Sequence, residues 1–538
     1  MDLSYIYIFL FFNFASYSVA QIPGRFGASC GYLSQKIYCF GGSASVDMNA
    51  ISDSSLMYLN IANGSGISTT ELASKWTTIT SITNGVNVQS RNNPQSMVLS
   101  DGKTLLLSGG WNSAISSLVS QTIAYNADNN SWVAYPSYTE PPFGVRQIYY
   151  ASSVYIPEYG VGFYGGMETN INQNWTYRGQ NMSQFIFPED ITSRMIGYTS
   201  LTFFDIRKAA NPWLVFPTQN NLPTGFSALQ TSIFDALSNT IFFFGGGRYS
   251  NSTVPVFSYY SFNTSVTFNV TSGTWGLQIL GGAHPSDRSL HTTTLLSSTN
   301  RHVLLYGGEN TFNNDRPSLD YLFTLNLDSY EWKQQYIHYS DALDLTRSRH
   351  SAVPVYNDTV FIVFGINLAG VAVSSMITLN VTDPSNILYL SAYVDPNIVT
   401  RSSISHGLST GATAGIAVGS VAGGLIVIGA FLCVRKKRKD KKKKEELKEI
   451  NRQNERIEAP VMEVNWEAID ENFASNSTNK FSFSPRLSDD QATLADNKSE
   501  QHTRSMIIPQ GLDFQRPNAI DDDFNSPRMM VQKPDGGH

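Results

Sequence analysis

The stretch TIFFFGGG at 240–247 decides the fold, because it is one of a series. Short apolar runs ending in paired glycines also stand at 36–42 (KIYCFGG), 104–110 (TLLLSGG), 160–166 (GVGFYGG) and 302–308 (HVLLYGG), and a sixth, VFIVFG, ends at the lone Gly365. Each follows another strand-like stretch: RFGASCGYL from Arg25, NPQSMVLS from Asn93, IYYASSVYI from Ile148, FSALQTSIF from Phe226, RSLHTTTLL from Arg288 and RHSAVPVY from Arg349. After the glycines an apolar strand closes on Asn60, Asn126, Asp205, Asn263, Asn326 or Asn380. An aromatic then marks a last strand: Trp76, Trp132, Trp213, Trp275, Trp332, and Tyr389 in the sixth copy. The same four-strand order thus recurs six times between Gly24 and about Val394, the signature of a repeat-built domain.

Each part has a physical reason. Strands too short to bury a core alone must stack on their neighbours. Paired glycines permit positive φ and close backbone approach. Asn or Asp supports a tight turn through its side chain, and Trp brings a large apolar surface to wedge between units. In this order the unit resembles the kelch repeat, which implies an all-β, six-bladed β-propeller over 21–400. The resemblance includes an Arg-x-x-His start at Arg288/His291 and Arg347/His350. The sixth copy lacks its second glycine and its Trp. Insertions between Ile61 and Lys75 and between Met167 and Thr199 lengthen the first and third copies.

Composition agrees with an all-β chain: of 538 residues, 40 are Gly, 12% are aromatic and only 15% are charged. The net charge of -6 sits in the repeat region. No broad basic surface results, which argues against a nucleic-acid partner. Residues 1–20 read as a signal peptide: an apolar run from Tyr5 to Phe14, then small residues at Ser18 and Ala20, although no basic n-region precedes it. Ala412 to Val434 carries no charge and is long enough to span a bilayer as a transmembrane helix. The basic run Arg435 to Lys444 follows directly, which places that side in the cytoplasm. The expected product is a single-pass type I membrane protein at the plasma membrane or cell surface. Residues 401–411 form a juxtamembrane linker, and 435–538 a cytoplasmic tail, mostly disordered beyond Pro460. Sequons at Asn63, Asn129, Asn174, Asn181, Asn251, Asn263, Asn269, Asn357 and Asn380 make it a glycoprotein.

Cys30 and Cys39 flank a two-residue turn at Ser34-Gln35, so pairing Leu33 with Lys36 sets them directly opposite, within disulfide range. Propellers of this superfamily include galactose-oxidase-like copper oxidases, whose site requires two His, two Tyr and a Cys cross-linked to one Tyr. Here the hairpin pair supplies the sole ectodomain cysteines. Among His284, His291, His302, His338, His350 and His406, no Tyr-His copper doublet stands out. No nucleophile elbow, Walker loop or zinc cluster appears either. The reading is therefore non-enzymatic, with no cofactor or metal, and a membrane-tethered copper oxidase is the alternative. Loops after the glycine pairs supply Trp111, Asn112, Glu168, Arg248, Tyr249, Glu309 and Asn310, a set suited to an extracellular protein or glycan ligand.

Around the bilayer, Gly411, Gly415, Gly419 and Gly423 share one helix face, a small-xxx-small pattern for a homodimer. Cys433 at the cytoplasmic boundary is a palmitoylation site by position. The basic run lies against the lipid bilayer. The tail offers docking segments for cytosolic partners, such as Met462 to Trp466.

Overall fold

A computed structural model describes residues 22–395, except 45–51, 63–64, 113–116, 170–175, 178–179, 188–189, 251–255, 311–315 and 338–342. The signal peptide, the span at 412–434, the glycines from Gly411 to Gly423, Cys433, the tail, and Asn63, Asn174 and Asn251 lie outside the described residues. Among those described, no helix is long and apolar enough to cross a membrane.

The described chain is nearly all β, in antiparallel sheets compatible with a β-propeller. Six larger sheets each use four strands paired in sequence order. The first holds Ser29–Leu33, Lys36–Phe40, Leu56–Leu59 and Thr77–Ile79. The second holds Gln95–Val98, Thr104–Ser108, Thr122–Asn126 and Ser131–Tyr135. Ser152–Ile156, Gly160–Gly165, Tyr198–Phe204 and Trp213–Val215 make the third. The fourth is Thr231–Asp235, Thr240–Phe244, Thr264–Asn269 and Thr274–Ile279. Ser289–Leu295, His302–Glu309, Leu322–Asn326 and Glu331–Gln334 form the fifth, to which Gly281–Gly282 adds a short parallel strand. The sixth is Ser351–Val355, Thr359–Val363, Met376–Asn380 and Leu388–Tyr389.

Alternation along each second strand explains the packing. Ile37 and Cys39 sit in a core cluster with Val353, Phe361 and Met376 of the sixth sheet. Tyr38 and Phe40 join Leu105, Ile123 and Trp132 of the second. Both faces of a strand are thus buried, one against each neighbour. Equivalent clusters join the second sheet to the third, the third to the fourth, the fourth to the fifth and the fifth to the sixth. The tryptophans take part: Trp132 meets Phe40 edge-on at 5.0 Å between ring centroids, and Trp275 meets Tyr164 at 4.5 Å.

The glycines form backbone joints between sheets. Gly42 N–H donates to Arg91 C=O, Gly110 to Ile148, Gly166 to Ser227, Gly246 to Arg288 and Gly308 to Arg347, all at 2.7–3.0 Å. Gly365 N–H completes the set on Arg25 C=O at 2.9 Å. A side chain is excluded there: a Cβ on Gly109 would lie 1.8 Å from Ile148 O, and its φ is +63°. In the sixth sheet Phe364 takes the equivalent left-handed conformation, φ 62°. This corrects the sequence reading: Gly365 holds the place of the second glycine, with its joint to Arg25, and it is the first glycine that Phe364 replaces, the turn being kept and the residue type not.

The fourth copy differs from its sequence reading. Its third strand is Thr264–Asn269, ending at Asn269 rather than Asn263, and its first begins at Thr231. Phe226–Ala228 instead pairs with Gly247–Tyr249, which pairs in turn with Phe257–Tyr259, in a separate three-stranded sheet. Asn126, Asn269, Asn326 and Asn380 then all pair with the first residue of their sheet's second strand. Each side-chain oxygen accepts a backbone N–H two or three residues on.

The hairpin at Ser34-Gln35 has positive φ at both residues, 43° and 64°, the two-residue turn that matches strand twist. Cys30 faces Cys39 in register and the two are disulfide-bonded, with Cα atoms 4.1 Å apart. Of the two insertions, the first carries a short helix, Thr69–Ala73. The other packs Met182, Phe185 and Phe187 against Phe226 and Tyr249.

Candidate functional site

The first strands of all six sheets line one cavity of about 570 Å³. One end of it is set by a residue in the left-handed region at or just before the start of each first strand: Gly27, Asn93, Tyr150, Leu229, Leu290 and Arg349, with φ between 50° and 65°. Such conformations cost a non-glycine residue about 1–2 kcal/mol, and here they serve hydrogen bonds between neighbouring strands. Asn93 N–H donates to Gly27 C=O, Tyr150 to Asn93, Leu229 to Tyr150, Arg349 to Leu290 and Gly27 to Arg349, at 2.9–3.3 Å. We refer to these six residues as the collar.

Three residues further on, the strands place Cys30, Ser96, Ser153, Ser232, Thr293 and Ala352 at one level, all half-buried. Hydroxyls dominate that level. Ser153 Oγ donates to Ser96 C=O at 3.1 Å, while Ser232 Oγ and Thr293 Oγ1 are buried with no hydrogen-bond partner among the described residues. Among the described residues no Asp, Glu or Lys lines the cavity, and Arg349 supplies its one guanidinium. That group is neutralised by Glu309, which is fully buried and accepts Arg349 Nη2 at 2.6 Å.

Just above the collar lie His291 and His350. His291 Nε2 meets Thr231 Oγ1 at 3.0 Å, and His350 Nε2 meets Thr292 Oγ1 at 2.9 Å, each bond crossing to the preceding sheet. Burial, aided by the Arg288 charge and His350 for one and by Arg347 for the other, lowers both imidazoles to about 3. They are neutral at physiological pH and add no charge to the cavity.

The loop residues expected to bind ligand lie at the glycine-pair end, mostly inside the protein. Trp111 is half-buried and bridges Asn92 through paired backbone bonds at 2.8 Å. Asn112 Nδ2 donates to the carbonyl and, at 2.8 Å, the hydroxyl of Ser90. Glu168 is 4% exposed and accepts Arg146 Nε at 2.6 Å. Burial raises its pKa against the opposing pull of Arg146. Arg248 stacks over Tyr260 at 5.4 Å, and Tyr249 donates to Ile186 C=O in the insertion. Glu309 is the partner of Arg349, and Asn310 is half-buried beside it in sequence. The structure gathers Trp111 and Tyr249 onto the cluster beneath the insertion; it does not bring all seven to one surface.

Sequence reasoning missed the collar, Arg349 and the hydroxyl level. The adjacent pairs Ser152-Ser153, Thr231-Ser232 and Thr292-Thr293 were the available signal, since only every second residue of an inner strand can look into a shaft. Of the sequons, Asn129, Asn181, Asn263 and Asn357 are exposed and Asn269 and Asn380 half-buried. Among the described residues no three His, Cys, Asp or Glu side chains gather as a metal site. No protein-family model matches the chain, and no curated protein is significantly similar to it.

Proposed function

We propose that this chain is a six-bladed kelch-type propeller carried outside the cell by a single membrane span, and that it acts as a non-enzymatic binding module for an extracellular protein or glycan. The observation that carries the architecture is the set of glycine joints, in which Gly365 of the last sheet bonds Arg25 of the first as every other sheet bonds its successor. Three of the joints share one further device: Arg25, Arg91 and Arg288 Nη1 donate to the carbonyls of Gly41, Gly109 and Gly307 at 3.0–3.1 Å. A frame fixed at so many joints holds its loops rigidly, as recognition requires.

Binding is favoured over oxidase chemistry because Cys30 and Cys39 are bonded to each other, which leaves neither free for a thioether to tyrosine. The test is to purify the full chain and screen it against a glycan array and a cell-surface protein library. Copper content and peroxide production are measured on the same sample. Specific capture with neither copper nor peroxide is expected; stoichiometric copper with peroxide release overturns the reading. Glycosidase-sensitive mobility and protease protection of the tail in sealed vesicles test its orientation.

A further inference from the structure

We propose that the shaft enclosed by the six first strands is a cup for a small, uncharged, polyhydroxylated ligand, such as a free sugar or the terminal sugar of a neutral glycan, and that the cup is entered from the hairpin end rather than from the glycine-pair end. The proposal rests on the reading of the chain as a binding module and names what one of its sites would take.

The direction of entry follows from the collar. At the glycine-pair end backbone bonds close five of the six seams between the first strands, through Gly27, Asn93, Tyr150, Leu229, Leu290 and Arg349. At the opposite end, where Ser34 and Gln35 turn the first hairpin, one backbone bond from Ser34 N–H to Gly102 C=O links neighbouring hairpins, and the exposed Pro354 is part of the wall. The shaft therefore narrows to a floor at the collar and opens at the hairpins.

The class of ligand follows from the walls. The volume, about 570 Å³, lies within the range of small-molecule sites. With Arg349 paired to Glu309 and both histidines neutral, the interior offers no uncompensated charge, so an ion entering it loses hydration without a partner. Hydroxyls both donate and accept, and those of Ser96, Ser153, Ser232 and Thr293 stand at one level around the shaft. Ser232 Oγ and Thr293 Oγ1 are shut into the wall with no hydrogen-bond partner among the described residues, and an unpaired buried hydroxyl is costly, so a rotamer that turns either one inward to a ligand is favoured. Tyr32 and Met97 lie on the same wall and offer apolar contact, the mixture that a sugar ring, with its polar rim and apolar C–H faces, can use.

The chain itself leaves from the hairpin end. Gly66 N–H donates to Tyr393 C=O at 2.7 Å and Asp395 N–H to Ser65 Oγ at 3.0 Å, in the loop after the third strand of the first sheet. The mouth of the cup is thus on the side where Asp395, the last described residue, is held, and the glycine-pair loops are on the other.

The test uses the full-length protein in a sugar-free zwitterionic detergent. Calorimetry and ligand-observed NMR are run against free neutral mono- and disaccharides and polyols, their charged analogues, and the same sugars immobilised through their reducing ends. Ser232→Leu and Thr293→Leu fill the shaft, Ser153→Ala trims one hydroxyl as a milder change, and Trp111→Ala alters the opposite face. The expected result is that a neutral sugar or polyol binds, that each leucine variant weakens it by about tenfold or more, and that Trp111→Ala leaves it unchanged, with every variant still folded at the assay temperature. Loss in immobilised form identifies a free solute, and retention identifies a glycan terminus. Binding that survives the leucine variants and Ser153→Ala but not Trp111→Ala overturns the cup and leaves the binding module standing. Equal or tighter binding of charged analogues, or capture of protein ligands alone, overturns it too. Silence against every sugar and protein overturns both readings.

Discussion

Acid should weaken this fold, and the size of the effect can be worked from two side chains. His291 and His350 are buried, only 4% and 8% exposed, and burial holds both near 3, whereas a histidine in the unfolded chain titrates near 6.5. Between those values the unfolded state binds a proton that the folded state refuses, so stability falls as pH drops below about 6.5. At pH 5 the loss is about 2 kcal/mol for each imidazole, or about 4 kcal/mol for the pair. His302, lowered by partial burial, adds in the same sense. Glu168 works against it: its raised pKa means that protonation favours the folded state. Asp53, Asp101, Asp205 and Asp320 have lowered values and lose their contribution only below the ordinary carboxylate range. The assay is urea denaturation of the purified protein at pH 7.5 and pH 5.0, for wild type and for His291→Gln/His350→Gln. Glutamine can still bond the facing threonine but does not titrate. Wild type should lose most of the 4 kcal/mol over that interval, and the double variant should lose little. Equal wild-type stability at both values, or an undiminished pH dependence in the variant, would refute the assignment of acid sensitivity to these two residues.

Gly109→Ala places a methyl group against Ile148 O in a backbone with φ +63°, so it should cost several kcal/mol, read as a drop in denaturation midpoint. Gly102→Ala, at φ +65° with nothing within 4 Å, should cost only about 1 kcal/mol. Breaking the disulfide with Cys30→Ser/Cys39→Ser, whose sequence separation is 9, should lower stability by about 2.5 kcal/mol from chain entropy, and added reductant should then have no further effect. Arg349→Ala leaves Glu309 buried without its ion-pair partner, a loss of about 3–5 kcal/mol. Arg349→Ala/Glu309→Gln should recover part of it in the same denaturation series.

The fold class was legible because its signal is local and repeated. A glycine pair after an apolar run, an Asn at a turn and a Trp beyond it each mark a backbone event within a few residues. The hairpin register that joins Cys30 to Cys39 followed from turn length alone. What misled in the fourth copy was a duplicate: Asn263 and Asn269 both end apolar runs, and only the pairing of Asn269 with Thr240 separates them. The candidate site was far less legible. Glu168, Arg248, Tyr249 and Glu309 have the residue types of a recognition surface, yet each is buried, because charges inside a protein are chosen by partners distant in sequence. Arg146 lies 22 residues from Glu168, and Arg349 lies 40 from Glu309. The collar is harder still, since its members share a backbone conformation and no residue type.

The joint between the sixth and first sheets shows the same principle from the other side. It brings together the two ends of the repeat region, and it departs furthest from the sequence pattern, with Phe364 where the other copies have glycine. Phe364 nevertheless holds φ 62°. Its ring stacks on Trp76 at 5.2 Å between centroids and lies under the Arg25 guanidinium at 5.4 Å. Arg25 is in turn tied to Gly41 C=O and to Asp53 at 3.0 Å. The left-handed backbone costs about 1–2 kcal/mol in a residue with a side chain, and an aromatic pair contributes about 0.5–1.5 kcal/mol beyond its burial, before the apolar area of a fully enclosed Phe is counted. A bulky residue can therefore occupy a glycine position here because its side chain has somewhere to go. At Gly109 or Gly307 the same Cβ would meet a carbonyl oxygen at 1.8 or 2.0 Å. At this seam a packed aromatic side chain takes the place of a glycine, beside the same backbone bond, Gly365 N–H to Arg25 C=O, that the other seams make.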